Sequence, residues 1–160
     1  MPPRDVRPTS ERARQAYFNI IGDRIEDARF LDLFAGTGAF AFEAASRGAA
    51  EVIAVDASRR NIAEIESKAK EWNVAVKGIV ADALKFMPDG KFDLVYADPP
   101  YDFDRYEDLI AAIDEYELSD GAQVAIEHRA KRELSVAPQL SFIRTAEYGE
   151  VRITFFGRNR

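Results

Sequence analysis

Four consecutive residues, Asp98-Pro99-Pro100-Tyr101, carry the strongest chemical signal in this 160-residue chain. Two adjacent prolines remove two backbone donors and force an extended course, so carbonyl oxygens in this stretch lose their usual partners. With the Asp98 carboxylate they make an acceptor cluster suited to an amino group. An exocyclic amine on a heterocyclic base is a poor nucleophile, because its lone pair is delocalised into the ring. Two acceptors holding its hydrogens favour a pyramidal nitrogen whose lone pair has a direction, ready for in-line displacement over roughly 3 to 3.5 Å. Tyr101 offers a ring on which a base can stack, worth roughly 1 to 3 kcal/mol. A base inside a helix would have to be flipped out to reach it.

Such a motif needs elements that hold it. Apolar residues Ala13, Ala16, Tyr17, Ile20 and Ile21 recur at helical spacing, with Thr9 or Ser10 as the expected N-cap. Strand-like and helical stretches then alternate: a strand over 30–34, a helix over 39–47, a strand over 52–55 and a helix over 58–72. A strand over 76–80, a helical turn around Leu84, a strand over 92–97, a helix over 106–116 and a strand over 123–126 follow. Two last strands, 141–146 and 151–156, flank Tyr148-Gly149-Glu150 and read as a hairpin. Parallel strands need crossovers, usually helical, so the pattern predicts an α/β, doubly wound, mostly parallel sheet with a C-terminal antiparallel hairpin. No repeat or linker divides it, which makes 1–160 a single domain with 1–22 as an N-terminal arm and helix.

In such a sheet ligands bind beyond the carboxyl ends of the strands. The first strand runs into Asp32-Leu33-Phe34-Ala35-Gly36-Thr37-Gly38, and Ala41 completes a G-x-G-x-x-A turn into the next helix. Glycines there allow a tight turn and close approach of backbone to ligand. Asp56 ends the second strand, where a carboxylate can accept from both hydroxyls of an adenosine ribose. Those features suit either a nicotinamide dinucleotide or S-adenosylmethionine. Asp32 separates the two, since it would repel a pyrophosphate and attract the ammonium of a methionine. Asp82 follows the third strand and could accept from an adenine amine or cap a helix. Phe34 and Ala83, beside these acids, complete the expected cofactor contacts.

Composition narrows the classes further. No cysteine is present, and the single histidine, His128, cannot assemble a zinc site alone, so neither a disulfide framework nor a metal is expected. No apolar run approaches a membrane span and the polar start lacks a signal-peptide core, which points to a cytoplasmic location. Residues 1–14 carry Arg4, Arg7, Arg12 and Arg14 against Asp5 and Glu11, and 141–160 carry Arg144, Arg152, Arg158 and Arg160 against Glu147 and Glu150. Each end is therefore +2 and the body between is −10, within a net charge of −6. Basic ends on an acidic body could hold a phosphate backbone. Glu127, His128 and Trp72, each near the end of an expected element, read as structural.

The order Arg7-Pro8-Thr9, Phe18-Asn19, Leu31 to Gly38, Glu43-Ala44, Ser46-Arg47-Gly48-Ala49, Asp98-Pro99-Pro100-Tyr101 and Tyr148-Gly149-Glu150 resembles the RsmD family, which methylates guanine N2 in small-subunit ribosomal RNA. The resemblance runs from about Arg7 to Phe156. It implies a seven-stranded methyltransferase fold, S-adenosyl-L-methionine as cofactor, and ribosomal RNA or the small ribosomal subunit as partner of a monomer. It also implies Asp32, Gly36, Gly38, Asp56 and Asp82 around the cofactor, Asp98, Pro99, Pro100 and Tyr101 at the target base, and Arg7 to Thr9 near the entrance. With Arg4, Arg12 and Tyr101 these entrance residues form the expected substrate-binding set. The strand-end motif alone suits any exocyclic amine, so adenine N6 of DNA or RNA remains an alternative target, and a nicotinamide-dinucleotide-binding protein a more distant one.

Overall fold

The computed structural model describes residues 8–129 and 132–159, with side chains from Glu11 onward. Seven strands form one sheet in the order β3-β2-β1-β4-β5-β7-β6. These are β1 (Arg29–Leu33), β2 (Glu51–Asp56), β3 (Val76–Val80), β4 (Phe92–Ala97), β5 (Leu118–Arg129), β6 (Leu140–Tyr148) and β7 (Val151–Arg158). The first five pair in parallel, while β7 runs antiparallel to both β5 and β6. The doubly wound sheet and its closing hairpin are thus as expected, with Gly149 (φ 64) helping to turn β6 into β7.

Among the described residues, four α-helices accompany the sheet: α1 (Pro8–Ile21), α2 (Ala39–Ser46), α3 (Arg59–Trp72) and α4 (Tyr106–Asp114). Helix α1 starts at Pro8, ahead of both expected cap residues, because proline lacks an N–H that the first turn would leave unpaired anyway. Ser58 does cap α3, its hydroxyl accepting from the Asn61 N–H at 3.1 Å. The stretch around Leu84 is a single helical turn, as expected, with the Phe86 N–H donating to the Asp82 carbonyl at 3.0 Å, whereas α4 stops two residues short of the expected end.

The largest departure is β5, which spans 12 residues instead of the four expected. Ser119-Asp120-Gly121 reads as a break, yet the chain absorbs it as an irregularity, with the register shifting between Phe92 and Leu94 and Gly121 at φ 79. The Ser119 hydroxyl donates to Asp93 on β4 at 2.5 Å and ties the irregular part down.

Two apolar layers sandwich the sheet. On the α4 face, Leu109, Ile110 and Ile113 pack over Leu31, Leu33, Val95 and Val124, all buried. On the α1 face the core is aromatic, with Tyr17 in edge contact with Tyr96 (4.9 Å between centroids) and stacked on Phe155 (5.9 Å). Phe40 stacks on Tyr96 at 3.9 Å and also lies 5.9 Å from Tyr17. Offset and edge contacts of this kind add roughly 0.5 to 1.5 kcal/mol per pair beyond burial. They also fix Tyr96, whose hydroxyl emerges at the site described next.

Candidate active site

The strand order reverses between β1 and β4, which is where a crevice opens beyond the carboxyl ends of a doubly wound sheet. The glycine turn follows β1 and the Asp-Pro-Pro-Tyr motif follows β4, so the two sequence signals border this crevice. A pocket of about 910 Å³ occupies it, lined by Phe34, Gly36, Asp56, Ala57, Asp98, Pro99, Pro100, Tyr101, Tyr106, Glu127, His128, Arg129, Glu150 and Val151.

The turn is built on positive φ angles: Phe34 at 60°, Gly36 at 57° and Gly38 at 87°. Asp56 locks it from β2, one carboxylate oxygen accepting from the Gly36 N–H (2.8 Å) and the other from the Ser58 N–H (2.9 Å). A carboxylate offers about four lone-pair positions, so Asp56 keeps capacity for a ligand hydroxyl. The glycines differ in what they exclude. A Cβ on Gly36 meets nothing within 4 Å, whereas one on Gly38 lies 3.0 Å from both Ile65 and the Phe42 ring. Both Gly→Ala changes carry the left-handed penalty of roughly 1 to 2 kcal/mol, and G38A adds overpacking. Urea denaturation should therefore show a clearly lower midpoint for G38A than for G36A.

Asp32 lies beneath the pocket floor and does not line it. It is 2% exposed, one carboxyl oxygen (Oδ2) has no hydrogen-bond partner, and burial pushes its pKa up to about 8. The Ala41 N–H at the start of α2 opposes that shift and the Asp56 charge adds to it. Asp82 is exposed and outside the pocket, its carboxylate accepting from the Leu84 N–H at 2.9 Å, which is the capping role of the two considered for it. Ala83 is buried beside it and Gly38 also lies outside the lining.

Side chains alternate along strands, so Asp32, Tyr96, Asp98 and Glu127 share the α1 face of the sheet. Ala97 is registered with Ile126, which sets Asp98 beside Glu127 on adjacent strands. Their carboxyls are within hydrogen-bonding reach, and the Tyr96 hydroxyl donates to Glu127 Oε1 at 2.5 Å. Asp98 is an exposed residue that lines the pocket, with Glu127 and Asp32 close to its carboxyl. Desolvation first, then the charges of Glu127 and Asp32, push it up to about 8. Desolvation also raises Glu127, while hydrogen bonds from Tyr96 and Asp98 restrain the rise. Glu127 is thus not the structural residue expected from sequence but the partner of Asp98.

Two other expectations change. The Phe103 N–H donates to the Pro100 carbonyl at 2.9 Å, turning the chain, so that carbonyl leaves the acceptor cluster and the Asp98 carboxyl dominates it. Two of the C-terminal arginines are engaged internally: Arg152 pairs with Glu147 (3.1 Å), and Arg158 donates to the Tyr116 carbonyl (2.7 Å) and to Gln139. Arg12 is exposed on the first half of α1 and lines no described pocket; Arg4, Arg7 and the Thr9 side chain fall outside the described residues.

Positive charge instead borders the pocket after β5. The Arg129 guanidinium lies 4.1 Å from the centre of the Tyr101 ring, which is 78% exposed, and Arg132 lies 4.8 Å from that of Tyr106. Both arginines line a neighbouring pocket of about 560 Å³ that shares Tyr101 and Tyr106 with the first. The sequence signal was the basic run Arg129-Ala130-Lys131-Arg132 at a strand end. His128 is buried, with Nε2 2.6 Å from Thr154 Oγ1 and Nδ1 3.0 Å from the Arg129 carbonyl, and burial lowers its pKa. It and Trp72, at the end of α3 with its ring edge-on to Phe42, read as structural.

The lining charges choose between the two cofactor classes. Asp56, Glu150 and the Asp98–Glu127 pair, which keeps one negative charge when singly protonated, face the pocket against the guanidinium of Arg129 among the described lining residues. A pyrophosphate would meet that acidic set unfavourably, whereas a cation fits it, and the unpaired oxygen of Asp32 beneath adds to the match.

The model of a family described as conserved hypothetical protein 95 matches residues 1–157. YlbH of Bacillus subtilis, named as a candidate rRNA methyltransferase, is 32% identical over 94% of this chain and 87% of its own. Ribosomal RNA small subunit methyltransferase D of Escherichia coli is 30% identical over 83% of this chain and 69% of its own. The solved structure of yhhF from Escherichia coli, titled as a candidate methyltransferase, superposes with a TM-score of 0.86 at 27% identity, covering 96% of this chain and 87% of that one. The chain belongs to the conserved hypothetical protein 95 family, the RsmD family that its motifs resemble.

Proposed function

We propose that the chain is an S-adenosylmethionine-dependent methyltransferase acting on the exocyclic N2 of a guanine in small-subunit ribosomal RNA. The observation that carries this reading is the acidic crevice bordered on one side by the glycine turn and on the other by Asp98-Pro99-Pro100-Tyr101. The names of the Bacillus subtilis and Escherichia coli relatives support ribosomal RNA as the substrate class.

S-adenosylmethionine supplies an electrophilic methyl group on a sulfonium. The residues of this chain do the rest. Gly36, Asp56 and Asp32 would hold the cofactor, the first two from the pocket wall and Asp32 from beneath, where a bound cation would favour the ionised form of its buried carboxyl. Asp98 would accept a hydrogen of the target amine and orient its lone pair. Tyr101 is backed by Arg129 on one face and can stack a base on the other. Arg129 and Arg132 suit the phosphates flanking that base, and the expected docking residues Arg4, Arg7, Thr9 and Arg12 would extend the contact at the N-terminal arm.

Small ribosomal subunits from a strain lacking the activity, incubated with methyl-labelled cofactor, should take label into their RNA. A protein that binds the cofactor yet labels no RNA in that assay contradicts the proposal.

A further inference from the structure

Methyl transfer to an amine must dispose of a proton, and the crevice holds a carboxyl pair suited to take it. Asp98 and Glu127 stand side by side at the ends of β4 and β5, both lining the pocket, and Tyr96 donates to Glu127 from beneath at 2.5 Å. That donor favours an ionised Glu127, which leaves the proton shared by the pair with Asp98. Among the described residues, Asp32 from β1 and Tyr106 from α4 also act on the pair, Tyr106 in turn lies beside Arg132 and Arg129, and His128 and Glu150 line the same pocket.

We propose that Glu127 is the terminal proton acceptor of the reaction, reached through Asp98: the amine donates to one Asp98 oxygen while the other Asp98 oxygen passes its proton to Glu127. The inference rests on the reading of the crevice as an amine-methylating site. The amine lone pair forms the N–C bond as the C–S bond breaks with its electrons to sulfur. One N–H bond then breaks with its electrons to nitrogen, and its proton enters at Asp98 as the Asp98 proton moves to Glu127. The pair changes from singly to doubly protonated and returns one proton to water once product leaves. Glu127 touches neither base nor cofactor in this scheme and is a positioning and relay residue. Two interacting carboxyls give macroscopic titrations that belong to the pair, so variants are needed to separate them.

The test follows the Asp98 and Glu127 side-chain carbons by NMR titration in the free protein, alongside the pH profile of turnover. In Glu127→Gln the Asp98 titration should move down by at least one pH unit, since a like charge is removed and an amide donor replaces it. The acid limb of turnover, set by Glu127 in the unmodified protein, should then follow the Asp98 titration, and maximal turnover should fall by on the order of a hundredfold or more, as for a lost proton acceptor. Tyr96→Phe keeps the ring packing and removes the donor to Glu127, so the Glu127 titration and the acid limb should both move up. An Asp98 titration unchanged in Glu127→Gln overturns the pairing and leaves the methyltransferase reading untouched. Coupled titrations with an unchanged pH profile and turnover overturn the relay. Failure of the unmodified protein to methylate RNA removes the reaction itself, and the relay with it.

Discussion

Replacing Asp98 with alanine should lower methyl transfer by roughly 10² to 10⁴-fold while leaving cofactor affinity largely in place. The carboxyl lines the crevice where the target amine would enter, whereas the glycine turn and Asp56 are bonded to each other from β1 and β2. Removing it takes away the acceptor that orients the amine and the entry point for its proton. The protein itself should not suffer, because Asp98 is crowded by the charges of Glu127 and Asp32 and is desolvated. Thermal melting at neutral pH should be unchanged or slightly higher than that of the unmodified chain. Single-turnover kinetics and calorimetric titration on the same variant check the two halves. Equal losses of transfer and cofactor affinity would assign Asp98 to cofactor binding.

The second large effect is expected at Asp32, where stability and binding should move in opposite directions. Its carboxyl titrates near 8 in the folded chain because burial disfavours the charge, whereas in the unfolded chain it has an ordinary carboxylate value. The folded state thus binds the proton more tightly, so this residue's contribution to stability falls as pH rises from the ordinary carboxylate range toward 8. Asp32→Asn removes the charge at every pH and can still accept from the Ala41 N–H. Its melting temperature relative to the unmodified protein should rise between pH 5 and pH 8, by roughly 2 to 4 °C for each kcal/mol of penalty relieved. The cost appears with ligand. Loss of a charge-assisted contact to a cationic cofactor should weaken its binding on the order of tenfold to a hundredfold, and the variant should lose most of the cofactor-induced rise in melting temperature. A stability difference that does not change between pH 5 and pH 8 would mean that Asp32 is not held above its ordinary range.

Much of this site is readable before any coordinates. Alternating strand and helix signals yield the doubly wound sheet, and Gly36, Asp56 and Asp98 each stand just past a strand, where such sheets bind ligands. What escapes a linear reading depends on which strands lie side by side. Glu127 becomes the partner of Asp98 only because β5 adds next to β4 with Ala97 opposite Ile126, a pairing encoded in neither segment alone. The length of β5 is hidden by Ser119-Asp120-Gly121, whose residue types signal a turn although cross-strand bonding to Asp93 keeps them in the sheet. The Pro100 carbonyl is claimed by Phe103 within a tight turn, and Arg152 and Arg158 are claimed by partners that the fold brings near. A charge count by segment cannot reveal such partners. The depth of Asp32 follows from its place on a central strand under α2, so it acts on the pocket from below.

The identity of the methylated atom is the central claim, and nucleoside mass spectrometry reads it directly. Small-subunit RNA from an unmethylated strain, treated with the protein and S-adenosylmethionine and digested to nucleosides, should yield N2-methylguanosine. N6-methyladenosine in its place, or no methylated base at all, would contradict the assignment.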